Sequence, residues 1–313
     1  MNTYSTLDQV PAGIGPSAVT IGKFDGVHAG HRAVIAELLS VSAERGLTSV
    51  VVTFDRHPLA QLDPAARPDA LVSTTQRLEL LASTGVDTVL LLRFDEALSS
   101  MTPRVFVERV LHDVLHTAVV MVGDDFRFGA KGSGDIHTLR ELGAEFGFTV
   151  DLIPEVTPGD ERKVSSTWIR ELLAEGDVTG ASRLLGRTPS VRGMVVHGAA
   201  RGRELGYPTA NLSEACEGLI PADGVYAGWL TDDDGRRYPA AISVGSNPTF
   251  EGVPPKQVEA YVLDEDIDLY DHVVDVDFVE RIRGMVRFTG IDPLIAQMDD
   301  DVAKVRDLLR DER

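Results

Sequence analysis

From residue 18 to about 153 the chain alternates between two hydrophobic periods. Short apolar, β-branched runs at 19–21, 49–54, 88–92, 118–122 and 149–153 predict strands. Between them, stretches at 31–45, 75–83, 103–116 and 135–146 predict helices; in the first, Val34, Ile35, Leu38, Leu39 and Val41 recur at helical spacing. Thr74 is expected to cap the second helix, and Pro103 suits a first helical turn. Strands separated by helices imply right-handed βαβ units, a parallel sheet covered on both faces, and a ligand site beyond the strands' carboxyl ends.

Three of those ends carry polar clusters. The first, residues 22–31, reads G-K-F-D-G-V-H-A-G-H and turns a strand into a helix, so its backbone N–H groups and the helix N-terminus would face an anion. The others are Thr53-Phe54-Asp55-Arg56-His57-Pro58 and Gly123-Asp124-Asp125-Phe126-Arg127-Phe128-Gly129. Each alone reads as a turn; three at strand ends point to one shared pocket. Further on, Val164-Ser165-Ser166-Thr167-Trp168-Ile169-Arg170 opens a helix to about Glu175. Its serines can simply cap that helix, or hydroxyls, free N–H groups and Arg170 can converge on a phosphate.

A short helix over 177–185 leads to Gly186-Arg187-Thr188-Pro189, which sets the expected boundary between domains 1–185 and 186–313. Beyond it, β-type runs at 191–196, 225–230, 238–244, 258–263 and 273–282 follow one another without intervening helices, separated by turns such as Asp234-Gly235, Ser246-Asn247-Pro248 and Pro254-Pro255. That pattern predicts an antiparallel barrel or sandwich. The triple aspartate at 232–234 sits at a hairpin tip and reads as a solvated turn rather than a metal cluster. A last helix is expected from Pro293 to about Arg310, its acidic stretch 299–301 forming a wet face.

Length and composition narrow the class. At 313 residues two domains can each bury a core. No run approaches the apolar length of a membrane span, no secretory signal is visible at the N-terminus, and the single cysteine, Cys216, excludes an internal disulfide framework and suits the cytoplasm. A formal net charge of −19 repels nucleic acid and anionic membrane, so positive charge needed for an anionic substrate must be local.

The pair His28 and His31 has two readings. Three apart, they can bind a metal, though no cysteine or third histidine in a matching pattern joins them. Alternatively both imidazoles donate to a nucleoside triphosphate and stabilise charge on its α-phosphate, with Gly30 letting the backbone come close. In the second half, a Gly-rich loop carries Gly198, Arg201 and Arg203, a phosphate site in so acidic a chain. Thr209 and Asn211, two apart on an extended segment, would face one side and offer neutral oxygens to a Mg²⁺ that phosphates mostly coordinate. Glu259, alone on a strand, reads as solvent-facing.

The motifs G-x-F-D-G-x-H-x-G-H, T-F-D-x-H-P, G-D-D-F-x-F-G and S-S-T-x-I-R, in this order, resemble the adenylyltransferase module of prokaryotic bifunctional riboflavin kinase/FAD synthetases. The resemblance implies an α/β nucleotidyltransferase domain with a Rossmann-like parallel sheet that joins FMN and ATP into FAD and pyrophosphate. It implies that His28 and His31 act on the ATP phosphates, that Gly22, Phe24, Gly30, Ser166, Thr167 and Arg170 bind ATP, and that Asp55, His57, Asp125 and Phe126 line the flavin side. Arg56 departs from the family, which more often has proline there.

The second half resembles the riboflavin kinase module of the same family through G-R-E-L-G-Y-P-T-A-N, P-A-D-G-V-Y-A, V-G-S-N-P-T-F, V-E-A-Y-V-L-D and R-I-R-G-M-V-R-F. That implies a six-stranded antiparallel barrel with a C-terminal helix, transferring the γ-phosphate of ATP to riboflavin. Glu259 matches the general base, Arg281 falls to the flavin site, and Gly198, Arg201, Arg203, Thr209 and Asn211 fall to ATP, with Thr209 and Asn211 toward the metal. The loop at 264–271 departs from the family pattern. The expectation is therefore a cytoplasmic bifunctional enzyme whose partners are riboflavin, FMN, ATP and flavoprotein clients. A single active half, or a flavin-storage module without turnover, are the alternatives.

Overall fold

The structure, a computed structural model, describes residues 1–58, 68–154, 157, 162–198, 206–246, 256–265 and 267–310. The chain forms two compact units, Met1–Ser165 and Ser166–Arg313.

In the first unit six parallel strands lie in the order β1-β4-β3-β2-β5-β6. They are β1 (Asn2–Tyr4), β2 (Ser17–Ile21), β3 (Thr48–Phe54), β4 (Thr88–Leu92), β5 (Thr117–Val122) and β6 (Thr149–Leu152). Every residue of β2 is buried, as expected of a strand covered on both faces. Alternate side chains feed two cores: Val50 and Val52 join Leu90, Leu111 and Leu139, whereas Val51 joins Ile35, Leu38 and Val89. The chain steps outward from β2 to β3 and β4, then returns to the other side of β2 for β5. The order thus reverses between β2 and β5, where such sheets hold ligands. The three-residue, polar β1 is too short to announce itself by period.

The helices follow their expected places with local corrections. Helix α1 (Ala29–Arg45) starts behind an N-cap by His28 and ends at Gly46, whose φ of 65° suits glycine. Helix α2 (Thr74–Ala82) is capped by Ser73 in a reciprocal box with Gln76, not by Thr74. The Thr74 hydroxyl is instead given to the Asp55 carbonyl. After a one-turn α3 (Glu96–Ser99), the single helix expected over 103–116 is α4 (Pro103–Phe106) running into a π-turn, Val107–His112. Helix α5 (Ile136–Phe146) is capped by Asp135.

The second unit opens with α6 (Ser166–Glu175) and α7 (Val178–Leu185). Six antiparallel strands then close a barrel in the order β10-β11-β8-β7-β12-β9. These are β7 (Ser190–Val196), β8 (Thr209–Leu212), β9 (Gly224–Thr231), β10 (Arg237–Ser246), β11 (Lys256–Val262) and β12 (Val273–Arg283). Tyr226, Leu230, Ile242, Val258, Ala260, Val276 and Phe278 are buried, and alternate positions face outward. On the outside, Ala227, Trp229 and Tyr261 pack on Val305 and Leu309 of α8 (Ile291–Leu309).

The acidic stretch 299–301 is not simply a wet face. Asp301 is 4% exposed and accepts a two-pronged bond from Arg283 and one from Gln297, while Asp299 accepts from the Tyr207 hydroxyl. A carboxylate on the helix face nearest the barrel meets a strand arginine, which helical charge patterning alone does not disclose. The aspartates at 232–234 do sit at the β9–β10 hairpin tip: Asp232 accepts from the Arg236 N–H and the Tyr238 hydroxyl, and Asp233 pairs with His272.

Candidate active sites

The turn after β2 is strained and anchored. Phe24 and Val27 hold φ of 49° and 39°, a region L side chains rarely adopt and one that is especially unfavourable for a β-branched residue. Both side chains are buried in the core under α1, which holds the turn in place. The Lys23 carbonyl accepts from Thr53 Oγ1 at 3.2 Å and Arg77 Nη1 at 3.0 Å, and the Asp25 carboxylate accepts from the Leu71 N–H.

At the end of this turn His28 Nδ1 accepts from the His31 N–H at 3.3 Å. The proton of a neutral His28 ring is therefore on Nε2. His28 can thus donate through Nε2 alone; its other nitrogen is engaged as the helix cap. The two rings stack 3.6 Å apart, and the Phe24 ring lies 5.0 Å from that of His31. Burial first, then the neighbouring His28, Lys23 and Arg77, hold the His31 pKa well below that of an ordinary histidine. A Cβ at Gly30 would stand 3.2 Å from the His28 ring, so glycine there makes room for the imidazole.

The ends of β3 and β5 flank this turn because their strands flank β2. Asp55 accepts from the Phe94 N–H and pairs with Arg56. Burial works against its charge, but those hydrogen bonds outweigh it and leave its pKa lowered. His57 Nε2 lies 3.2 Å from Lys23 Nζ. Lys23, Asp25, Asp55, Arg56, His57, Thr74 and Arg77 line one cavity. At the end of β5, Asp125 pairs with Lys163 at 3.1 Å and Phe126 stacks on Phe128. Ser166 and Thr167 begin α6 in the second unit, with Arg170 one turn inside.

In the second unit the strand register assembles a second group. Asn211 lies opposite Glu259 and Thr209 opposite Tyr261, while Glu259 also faces Ser243 on β10. Cross-strand partners share a face, and with Val258, Ala260 and Val262 inside the barrel this face is the outer one. Thr209, Asn211 and Glu259 therefore stand together. The Asn211 amide donates to the Thr209 carbonyl at 3.1 Å and hydroxyl at 3.2 Å, which leaves its own oxygen as an acceptor. A Cβ at Gly198 would approach that amide to 2.6 Å. Two neutral oxygens beside a carboxylate fit a hard divalent cation that arrives with phosphates. Among the described residues no cluster of three or more His, Cys, Asp or Glu could hold a metal alone.

Arg281 donates to the carbonyls of Glu175 and Asp223, tying α6 to the loop before β9. Arg201 and Arg203 lie outside the described residues. Sequence reasoning passed over Arg77, which is buried in α2. Its signal was a cation four residues before Leu81 on the helix's inward face.

A parallel sheet with an anion-ready turn at its switch point, in one chain with a barrel bearing a carboxylate beside paired neutral oxygens, defines a two-unit phosphate-handling transferase. The FAD synthetase family matches residues 12–168, and the riboflavin kinase family matches 185–309. The bifunctional riboflavin kinase/FMN adenylyltransferases of Pseudomonas fluorescens and Escherichia coli K12 are 38% and 36% identical, over 92% of this chain and 92% and 91% of theirs. A Streptococcus pneumoniae crystal structure, described as a macrolide-efflux protein, superposes with a TM-score of 0.86 at 31% identity, covering 97% of this chain and 98% of that one. The chain belongs to the bifunctional riboflavin kinase/FMN adenylyltransferase family. Among the described residues no helix is long and apolar enough to cross a membrane.

Proposed function

We propose that the chain makes FAD in two steps, with phosphorylation of riboflavin assigned to 186–313 and adenylylation of FMN to 1–185. The stacked pair His28 and His31 at the switch point carries the second assignment. In that step a phosphate oxygen of FMN bonds to the α-phosphorus of ATP, and the bond to pyrophosphate breaks with its electron pair leaving on pyrophosphate. The nucleophile is already an anion, so no general base is needed. His28 donates through Nε2 to the charge that builds on the α-phosphate, and a neutral His31 serves beside it. Gly22, Phe24 and Gly30 are assigned to the ATP turn, and Ser166, Thr167 and Arg170 are likewise assigned to ATP. Asp55, His57, Asp125 and Phe126 take the flavin side.

The first step attacks with an alcohol, which must lose its proton. Glu259 accepts it as the ribityl oxygen bonds to the γ-phosphorus and the bond to ADP breaks. Thr209 and Asn211 hold the divalent cation, most suitably Mg²⁺, whose bound chemistry is to neutralise phosphate charge. Gly198, Arg201 and Arg203 are assigned to the ATP phosphates, and Arg281 to the flavin site. With one cysteine and no need of an oxidising compartment, the enzyme works in the cytoplasm and passes its products to flavoproteins.

Separate assays of FMN and FAD formation test this. His28→Ala is expected to lose FAD formation and keep FMN formation, and Glu259→Gln the reverse. Loss of both activities in either folded variant overturns the assignment of independent sites.

A further inference from the structure

We propose that Arg77 is a positioning residue for adenylyl transfer: its guanidinium fixes the Lys23–Phe24 peptide so that the Phe24 N–H faces a nucleotide phosphate. The inference rests on the nucleotide reading of the turn after β2.

Arg77 reaches from α2 across two strand ends. Nη1 donates to the Lys23 carbonyl and Nη2 to the Phe54 carbonyl, so one planar fork joins the turn after β2 to the end of β3. The side chain is buried, 8% exposed, and Nε has no hydrogen-bond partner. A buried cation that leaves one donor unused is costly unless the geometry it holds matters.

The held geometry is the strained part of the turn. A trans peptide is planar, so turning the Lys23 carbonyl toward Arg77 and Thr53 turns the Phe24 N–H the opposite way. The Phe24 N–H carries no hydrogen bond among the described residues. Phe24 is also one of the two non-glycine residues of this turn with positive φ. Without the fork the peptide can rotate toward a relaxed conformation, and the N–H loses its fixed direction. Backbone donors aimed in advance at phosphate are the usual means of stabilising charge in such transfers.

The test uses the full-length enzyme, with FMN formation in the same preparation as a control for folding. Arg77→Ala is expected to lower kcat/KM for ATP in FAD formation about a hundredfold, the cost of misplacing one such donor, while KM for FMN stays within about twofold. Arg77→Lys keeps the charge but cannot bridge two carbonyls and should recover only part. Millimolar guanidinium should raise the rate of Arg77→Ala and not that of the wild type. In ¹⁵N-labelled protein the Phe24 amide should shift downfield when a non-hydrolysable ATP analogue binds, and fail to shift in Arg77→Lys. Should both Arg77 variants fail to fold, Thr53→Val removes the other donor on the same carbonyl and is expected to cost about tenfold. Wild-type kcat/KM for ATP in the folded variants, or a Phe24 amide indifferent to nucleotide, overturns the proposal. A wild type that makes no FAD overturns the nucleotide reading instead.

Discussion

The His28 ring lies on that of His31 with centroids 3.6 Å apart and planes 15° from parallel. Two imidazoles so close cannot both be protonated without strong repulsion, and burial already opposes charge on His31. Its folded pKa is therefore below the unfolded value of about 6.5. As pH falls through that value the unfolded chain takes up a proton that folded His31 refuses, so stability declines toward acid and is flat above. The midpoint of urea unfolding of the wild type is expected to drop between about pH 7 and pH 5, and the drop to shrink in His31→Phe. Equal slopes in the two proteins would show that His31 is not the group responsible.

Gly198 is pressed against the Asn211 amide, where a Cβ would come within 2.6 Å of Asn211 side-chain atoms. Gly198→Ala must therefore push the amide off Thr209 or shift its own backbone. We expect a loss of about tenfold or more in FMN formation, since small displacements of positioned groups cost rate steeply. FAD formation from supplied FMN should be unchanged. If riboflavin phosphorylation in the alanine variant matches the wild type, the contact does not hold Asn211 in its working position.

These cases show where the sequence was readable. Apolar β-branched runs alternating with stretches of helical period disclosed five of the parallel strands. The polar ends of β2 and β3 line one cavity, whereas the end of β5, expected to share it, contributes no lining residue among those described. Contacts between distant segments left no such trace. Asp301 looks like one more surface acid until β12 brings Arg283 to it, and Thr74 looks like a cap until the end of β3 claims its hydroxyl. Arg77 reads as an ordinary helix residue, because its two carbonyl partners lie 54 and 23 positions away. The Asn211–Glu259 pairing is visible only in the barrel register.

The Arg283–Asp301 bridge joins α8 to β12 of the barrel. The carboxylate side chain is 5% exposed and the guanidinium 19%. Removing one member strands the other, a cost of about 3 kcal/mol. Asp301→Ala is therefore expected to lower the stability of the second unit by that order, with Asp301→Asn intermediate. Trp229 packs against Val305 and Leu309 of the same helix, so its fluorescence reports whether α8 stays docked during urea unfolding. A change below about 0.5 kcal/mol would mean that the bridge only offsets its own desolvation.

Asp277, on β12 with Arg283, makes the opposite case. Burial raises its pKa to about 6; Arg237 and Arg187 pull it down and Asp275 pushes it further up, but burial dominates. The unfolded carboxyl titrates near 3.9. Between those values the folded state holds a proton that the unfolded state has lost, so stability falls as pH rises from about 4 to about 6 and is level above. Asp277→Asn has no such proton to lose. It should lie near the wild type at pH 4 and exceed it at pH 7 by about 2–3 kcal/mol, read by chemical unfolding of the second unit at both pH values. Were the asparagine variant the weaker one at neutral pH, the two arginines would outweigh burial.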